Sequence, residues 1–92
     1  MQTIWKSVLK PTEVQEIEVP SDAEFLCARD QHEQLCVWYR CDPTKPKEKR
    51  AIAICGTGHT TPDRDSGRYI GTGFLQGGML VFHVFVGIGK FQ

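Results

Sequence analysis

The stretch QLCVWYRC, residues 34–41, and its counterpart MLVFHVFV, residues 79–86, decide the fold. Successive side chains of a β-strand point to opposite faces, so every second residue shares a face. In residues 34–41 one face collects Leu35, Val37 and Tyr39, and the other collects Cys36 and Trp38. In residues 79–86 one face collects Leu80, Phe82, Val84 and Val86, and the other Met79, Val81, His83 and Phe85. Both faces of both stretches are apolar. A small antiparallel sheet ordinarily leaves one face wet. A second segment, a ligand or another subunit is therefore expected over the second face, and a homo-oligomer is one such expectation.

Working outward, the same kind of segment recurs. Glu24–Arg29 precedes Gln34–Cys41 across the polar run Asp30-Gln31-His32-Glu33, which predicts a hairpin. Tyr69–Leu75 precedes Met79–Val86 across Gln76-Gly77-Gly78, which predicts a second one. Thr3–Leu9 is β-branched and aromatic, and Lys10-Pro11-Thr12 breaks it. Val14, Ile17 and Val19 mark an extended segment closed by Pro20, and Arg50–Gly56 marks another. No segment repeats apolar residues at helical spacing over three turns. The chain is expected to be all-β or a β-rich α+β fold. The architecture would be a small antiparallel sandwich or partly open barrel of about six to seven short strands, with at most one short helix, after Pro20. The 92 residues make one domain, 1–92. Residues 43–50 and 57–68 read as mobile loops, and 87–92 as a loose tail.

Composition narrows the function classes. Formal net charge is zero, against the basic surface that non-specific nucleic-acid or membrane binding needs. The charge is divided unevenly: residues 1–42 carry eight acids and four bases, and residues 43–92 three acids and seven bases. Either these charges mix in space once the chain folds, or the basic half lines an anion site. No targeting signal is visible, and the run Met79–Val86 is too short to span a bilayer. Cys27, Cys36, Cys41 and Cys55 have irregular spacings with no C-x-x-C, which suits free thiols in a reducing cytosol.

Catalytic constellations fail one at a time. Structural zinc needs four converging ligands, yet Cys36 and Cys41 fall on opposite strand faces and His32, His59 and His83 in separate segments. No metal or cofactor is expected. Cys55 and His59 are near in sequence, but Cys55 ends an alternating strand, where a buried thiol is the common outcome. Asp63 and Asp65 flank Arg64 in a polar loop that suits turn chemistry. Gly87-Ile88-Gly89-Lys90 is no phosphate loop, because Val84 stands five before Gly89 and Phe91 follows the lysine. The expectation is a chain that is not an enzyme. Two binding surfaces remain. The loop CGTGHTTPDRDSGRY, residues 55–69, offers Thr57, His59, Arg64, Arg68 and Tyr69 to an anion. Trp38, Tyr39 and Arg40 offer an aromatic and basic face for stacking or docking.

The chain resembles a family of small proteins of tailed phages and prophages. The resemblance covers nearly the whole chain. It rests on Ile4-Trp5-Lys6 with Leu9, Gln15-Glu16-Ile17-Glu18-Val19-Pro20, Asp22-Ala23-Glu24-Phe25-Leu26 and Cys36-Val37-Trp38. It continues through Asp42-Pro43, Gly56-Thr57-Gly58-His59, Tyr69-Ile70-Gly71-Thr72 and Leu80-Val81-Phe82-His83-Val84-Phe85. Thr60 departs from it, since a proline is expected directly after the histidine. The resemblance implies a phage accessory protein of the host bacterial cytoplasm. It would inhibit an antiviral defence by binding a defence protein or complex, as an anti-CRISPR protein does. One alternative is an oligomeric sponge for an anionic nucleotide signal, and another is a minor virion or structural protein. Neither a membrane nor a specific nucleic-acid sequence is expected as partner.

Overall fold

A computed structural model describes residues 1–87. It contains seven strands: β1 (Thr3–Leu9), β2 (Val14–Pro20), β3 (Glu24–Gln31), β4 (Gln34–Cys41), β5 (Lys47–Gly56), β6 (Gly67–Leu75) and β7 (Leu80–Gly87). One 3-10 turn, Gln76–Gly78, is the only helical piece among the described residues. The all-β expectation holds, and the short helix allowed after Pro20 is a turn instead.

All seven strands join one sheet in the order β1-β4-β3-β6-β7-β5-β2, curled into a nearly closed barrel. Two antiparallel ribbons compose it. In β1-β4-β3, Trp5 lies opposite Tyr39 and Ala28 opposite Val37. In β6-β7-β5-β2, Thr72 lies opposite His83, His83 opposite Cys55, and Val14 opposite Ala53. A bulge in β3 at Phe25/Cys27 and another in β6 at Tyr69/Gly71 bend the ribbons, as bulges do in barrels. Near the free edges, the Lys47 ammonium sits 5.6 Å from the Trp5 ring centre.

The seam between the ribbons is parallel, not antiparallel, and has a single registered pair, Ala28 with Gly71. The hairpin tips explain the direction. The β3–β4 turn at His32-Glu33 puts both residues at positive φ (53° and 61°), as a two-residue hairpin of the primed type requires. The Glu33 carboxylate accepts the Gln76 amide at 2.9 Å, so the two tips lie together. The leading strands of both hairpins, β3 and β6, therefore run the same way. Asp30 accepts the Phe74 amide at 2.9 Å, so carboxylates supply bonds along a seam with little ladder.

Boundaries differ from the sequence reading at both loops. β5 begins at Lys47, inside the predicted 43–50 loop, because residues 47–50 pair with Pro20 through Ile17 of β2. β6 begins at Gly67, inside the predicted 57–68 loop, and Gly67 pairs with Gly87. Gly87 thus closes β7 rather than opening a loose tail; residues 88–92 of that tail lie outside the described residues.

The core fills the inside of the barrel. Val19, Val37, Ile52 and Val84 are fully buried, joined by Leu9, Phe25, Ala28, Leu35, Tyr39, Cys41, Ile54, Ile70 and Val86. Each fully buried aliphatic side chain contributes about 1.5–3 kcal/mol. Leu35, Val37 and Tyr39, grouped on one face by the alternation of the opening stretch, all lie in this core with Cys41, so that face is the inward one.

Candidate functional site

Two outer faces of the barrel remain, one per ribbon. On β1-β4-β3 the outward residues of β4 are Cys36, Trp38 and Arg40. Trp38 is half-buried, opposite Lys6 on one side and Cys27 on the other. The β3 bulge leaves both Leu26 and Cys27 exposed. Around Trp38, Ile4 is 57% exposed, Val8 48% and Leu26 38%. Arg40 and Glu24 form an exposed ion pair at 3.0 Å on the rim. The expected pairing of Trp38 with Arg40 on one face is therefore present.

Tyr39 corrects that set. It points inward, is buried, packs against Phe25 at 5.6 Å between ring centres, and shares a 3.0 Å hydrogen bond with the Ser7 hydroxyl. Strand alternation, which puts Trp38 and Arg40 outside, necessarily puts Tyr39 inside.

The loop set divides as well. Arg68 and Tyr69 are successive strand residues and leave the sheet on opposite sides. The Arg68 guanidinium donates to the Phe25 carbonyl at 3.2 Å and so ties β6 to β3. Arg64 is exposed in the loop. The His59 ring packs over Gly56, where an added Cβ would come within 3.1 Å of Nδ1, and the His59 amide donates to the Gly56 carbonyl. Of the expected histidine and two arginines, His59 alone lines the cleft beside this loop, while Arg68 is engaged with the Phe25 carbonyl.

The loop nonetheless walls a cleft of about 630 Å³, within the size range of small-molecule sites. Val14, Ala53 and Cys55 line it from the strands, and His59, Thr60, Thr61, Pro62, Asp63 and Ser66 from the loop. Its ionised groups are the acids Glu13 and Asp63, and neither Arg64 nor Arg68 lines it. A phosphate would meet carboxylates there. Burial first, and the nearby Glu13 charge second, push the Cys55 thiol above its ordinary range. That favours the thiol over the thiolate and blunts its nucleophilicity. Among the described residues, no three His, Cys, Asp or Glu side chains converge to hold a metal.

On the outer face of β6-β7, beside the Thr57 turn, a second arrangement appears. The Tyr69 hydroxyl lies 2.5 Å from the Thr72 hydroxyl, which lies 3.0 Å from His83 Nδ1; His83 Nε2 lies 2.7 Å from the Thr57 hydroxyl. Four side chains thus make one continuous row from β6 across β7 to the turn that follows β5. Phe85 meets Tyr69 edge-on with ring centres 5.7 Å apart, and Phe74 and Val81 are opposed in register beyond His83. Sequence reasoning found Thr57 and Tyr69 but missed Thr72 and His83. Alternation alone would put Tyr69 and Thr72 on opposite faces; their juxtaposition with His83 depends on the β6 bulge and the β6–β7 register.

No curated protein and no solved structure matches the chain. One family model, described as a domain of unknown function (DUF7352), matches residues 1–91, and the chain belongs to that family.

Proposed function

We propose that this chain is a non-catalytic binding protein that docks on another protein through the outer face of β1-β4-β3. The observation that carries the reading is the set of exposed apolar residues Ile4, Val8 and Leu26 about half-buried Trp38, interspersed with Lys6 and Arg29 and edged by the Arg40–Glu24 pair. Tryptophan and arginine set among apolar neighbours are the usual anchors of protein interfaces. Three strands of seven residues present roughly 14 × 23 Å, or about 300 Å² in plan. Apolar and charged side chains share that area, as they do in the mixed surfaces of protein interfaces. A stable interface covers about 800 Å² per partner, so the contact extends from this patch onto its polar surroundings.

The resemblance to phage proteins suggests the class of partner: a protein or complex of a host antiviral defence, such as a CRISPR effector, met in the bacterial cytoplasm. The test is co-purification from a defence-carrying host, comparing the unaltered chain with Trp38→Ala and with Ile4→Lys. Ile4 is far enough exposed that its replacement leaves the core intact. The reading expects a defence component to be retained by the unaltered chain and lost from both variants. It is abandoned if no defence component is retained, or if Ile4→Lys retains it undiminished.

A further inference from the structure

The row Tyr69–Thr72–His83–Thr57 has no evident task in stability. Thr57 and Tyr69 are exposed, and Thr72 and His83 half-exposed, so water could satisfy all four. Holding four side chains in one geometry costs rotamer freedom instead. What the row does is fix hydrogen-bonding edges. A neutral imidazole has one N–H and one bare nitrogen, and each hydroxyl brings one hydrogen. The three links use three of the four hydrogens in the row. One hydroxyl hydrogen is left over, at the Tyr69 end or the Thr57 end, according to which way the row is polarised. A ligand that accepts at one end therefore sets the row's direction and makes the other end an acceptor.

Flat apolar surface flanks these edges. The Tyr69 hydroxyl reaches a residue three further along its own strand, so its ring lies along β6 instead of standing off it. Tyr69 is 53% exposed, and Phe74, past Thr72 on the same strand, is 49% exposed. None of Thr57, Tyr69, Thr72, Phe74, Val81, His83 or Phe85 carries a carboxylate, ammonium or guanidinium. A phosphate would find no fixed cation here, and a metal ion would find a single imidazole, short of the three or four ligands a site needs. A neutral molecule with a flat apolar face and polar edges would find both of the things it needs.

We propose that the outer face of β6-β7, beside the Thr57 turn, is a binding site for a neutral, flat-faced ring with hydrogen-bonding edge groups, the chemistry shared by a nucleobase and a pyranose. The ring lies on Tyr69, and its edge is read by the end groups of the row. Aromatic platforms on sheet faces bind bases in this way. The apolar face of a sugar can use the same platform. The site lies on the ribbon opposite the protein-docking face and stands or falls independently of it.

Saturation-transfer NMR on the full chain tests this with two probe sets, the four common ribonucleosides and a panel of methyl pyranosides. Binding by either set supports the site and identifies the source of the ring. The bound probe should shift the His83 ring nitrogens and the Thr72 and Tyr69 resonances. Tyr69→Leu, at an exposed position, should weaken binding roughly tenfold or more, as the loss of one stacking contact does. Thr72→Val should also weaken it. The proposal is overturned if neither probe set binds, if the shifted resonances lie elsewhere, or if Tyr69→Leu binds as tightly as the unaltered chain.

Discussion

Gly71→Ala should come close to unfolding this protein, although it adds a single methyl group. Gly71 forms the one registered pair of the parallel seam, with Ala28. A Cβ placed there would stand 2.0 Å from the Ala28 carbonyl oxygen and 2.9 Å from the Ala28 carbonyl carbon and amide nitrogen. A carbon meets a carbonyl oxygen no closer than about 3.3 Å, so β6 must retreat by about 1.3 Å. The obstacle is backbone on both sides, so no rotamer change relieves it. The retreat pulls on the bonds that hold the seam: Asp30 to the Phe74 amide, Glu33 to the Gln76 amide and Arg68 to the Phe25 carbonyl. Two or three weakened hydrogen bonds at about 1 kcal/mol each contribute about 2–3 kcal/mol. Strain in the packed core beneath adds about 1–3 kcal/mol. The expected loss is about 3–6 kcal/mol, against a total stability of about 5–14 kcal/mol for a domain of this length. Urea unfolding followed by circular dichroism measures it, and the midpoint should fall by about 2 M or more. Gly77→Ala is the control. Gly77 has φ of +67°, but a Cβ there meets nothing within 4 Å. Its cost is only the left-handed backbone, about 1–2 kcal/mol. If Gly71→Ala proves no more damaging than Gly77→Ala, the close seam is not what joins the two ribbons.

The carboxylates of the seam make it sensitive to acid. The Phe74 amide donates to Asp30 and holds its carboxyl below the usual carboxylate range. A depressed folded-state pKa contributes stability that is present above the unfolded value, about 3.9, and lost as pH falls through the folded one. Asp30→Asn should therefore be less stable than the unaltered chain at pH 7 but lose less on going from pH 5 to pH 2; parallel stability curves would refute this. The thiols differ in access: Cys27 is exposed, while Cys36, Cys41 and Cys55 are buried, and burial pushes the Cys41 and Cys55 thiols upward. An aromatic disulfide reagent should titrate one fast thiol in the native protein and none in Cys27→Ser, and two or more fast thiols would contradict the packing.

Strands were the most legible feature. Thr3–Leu9 and Gln34–Cys41 emerge with the boundaries read from sequence, because β-branched and aromatic runs bounded by polar or proline breaks leave few alternatives. Lys47–Arg50 was not legible as strand. Its Lys-Glu-Lys-Arg composition reads as solvated loop, and it is extended only because β2 lies beside it. The expected loop site misread direction: residues adjacent in sequence, Arg68 and Tyr69, face opposite sides once β6 forms. The same parity removes Tyr39 from the docking face and leaves Trp38 and Arg40 on it.

Local sequence was enough to say that the chain folds as β-strands, which residues of 34–41 share a face, and that no familiar catalytic motif is spelled out. Those are consequences of local periodicity, which a strand expresses whatever its neighbours. Which strands meet is settled by long-range contacts. The parallel seam follows from two hairpin tips pinned together by Glu33, and the row of Tyr69, Thr72, His83 and Thr57 follows from the register of β5, β6 and β7. Register and strand order depend on contacts between residues far apart in the chain. A one-residue slip would turn His83 from the outer row into the core, and nothing local to His83 specifies against it.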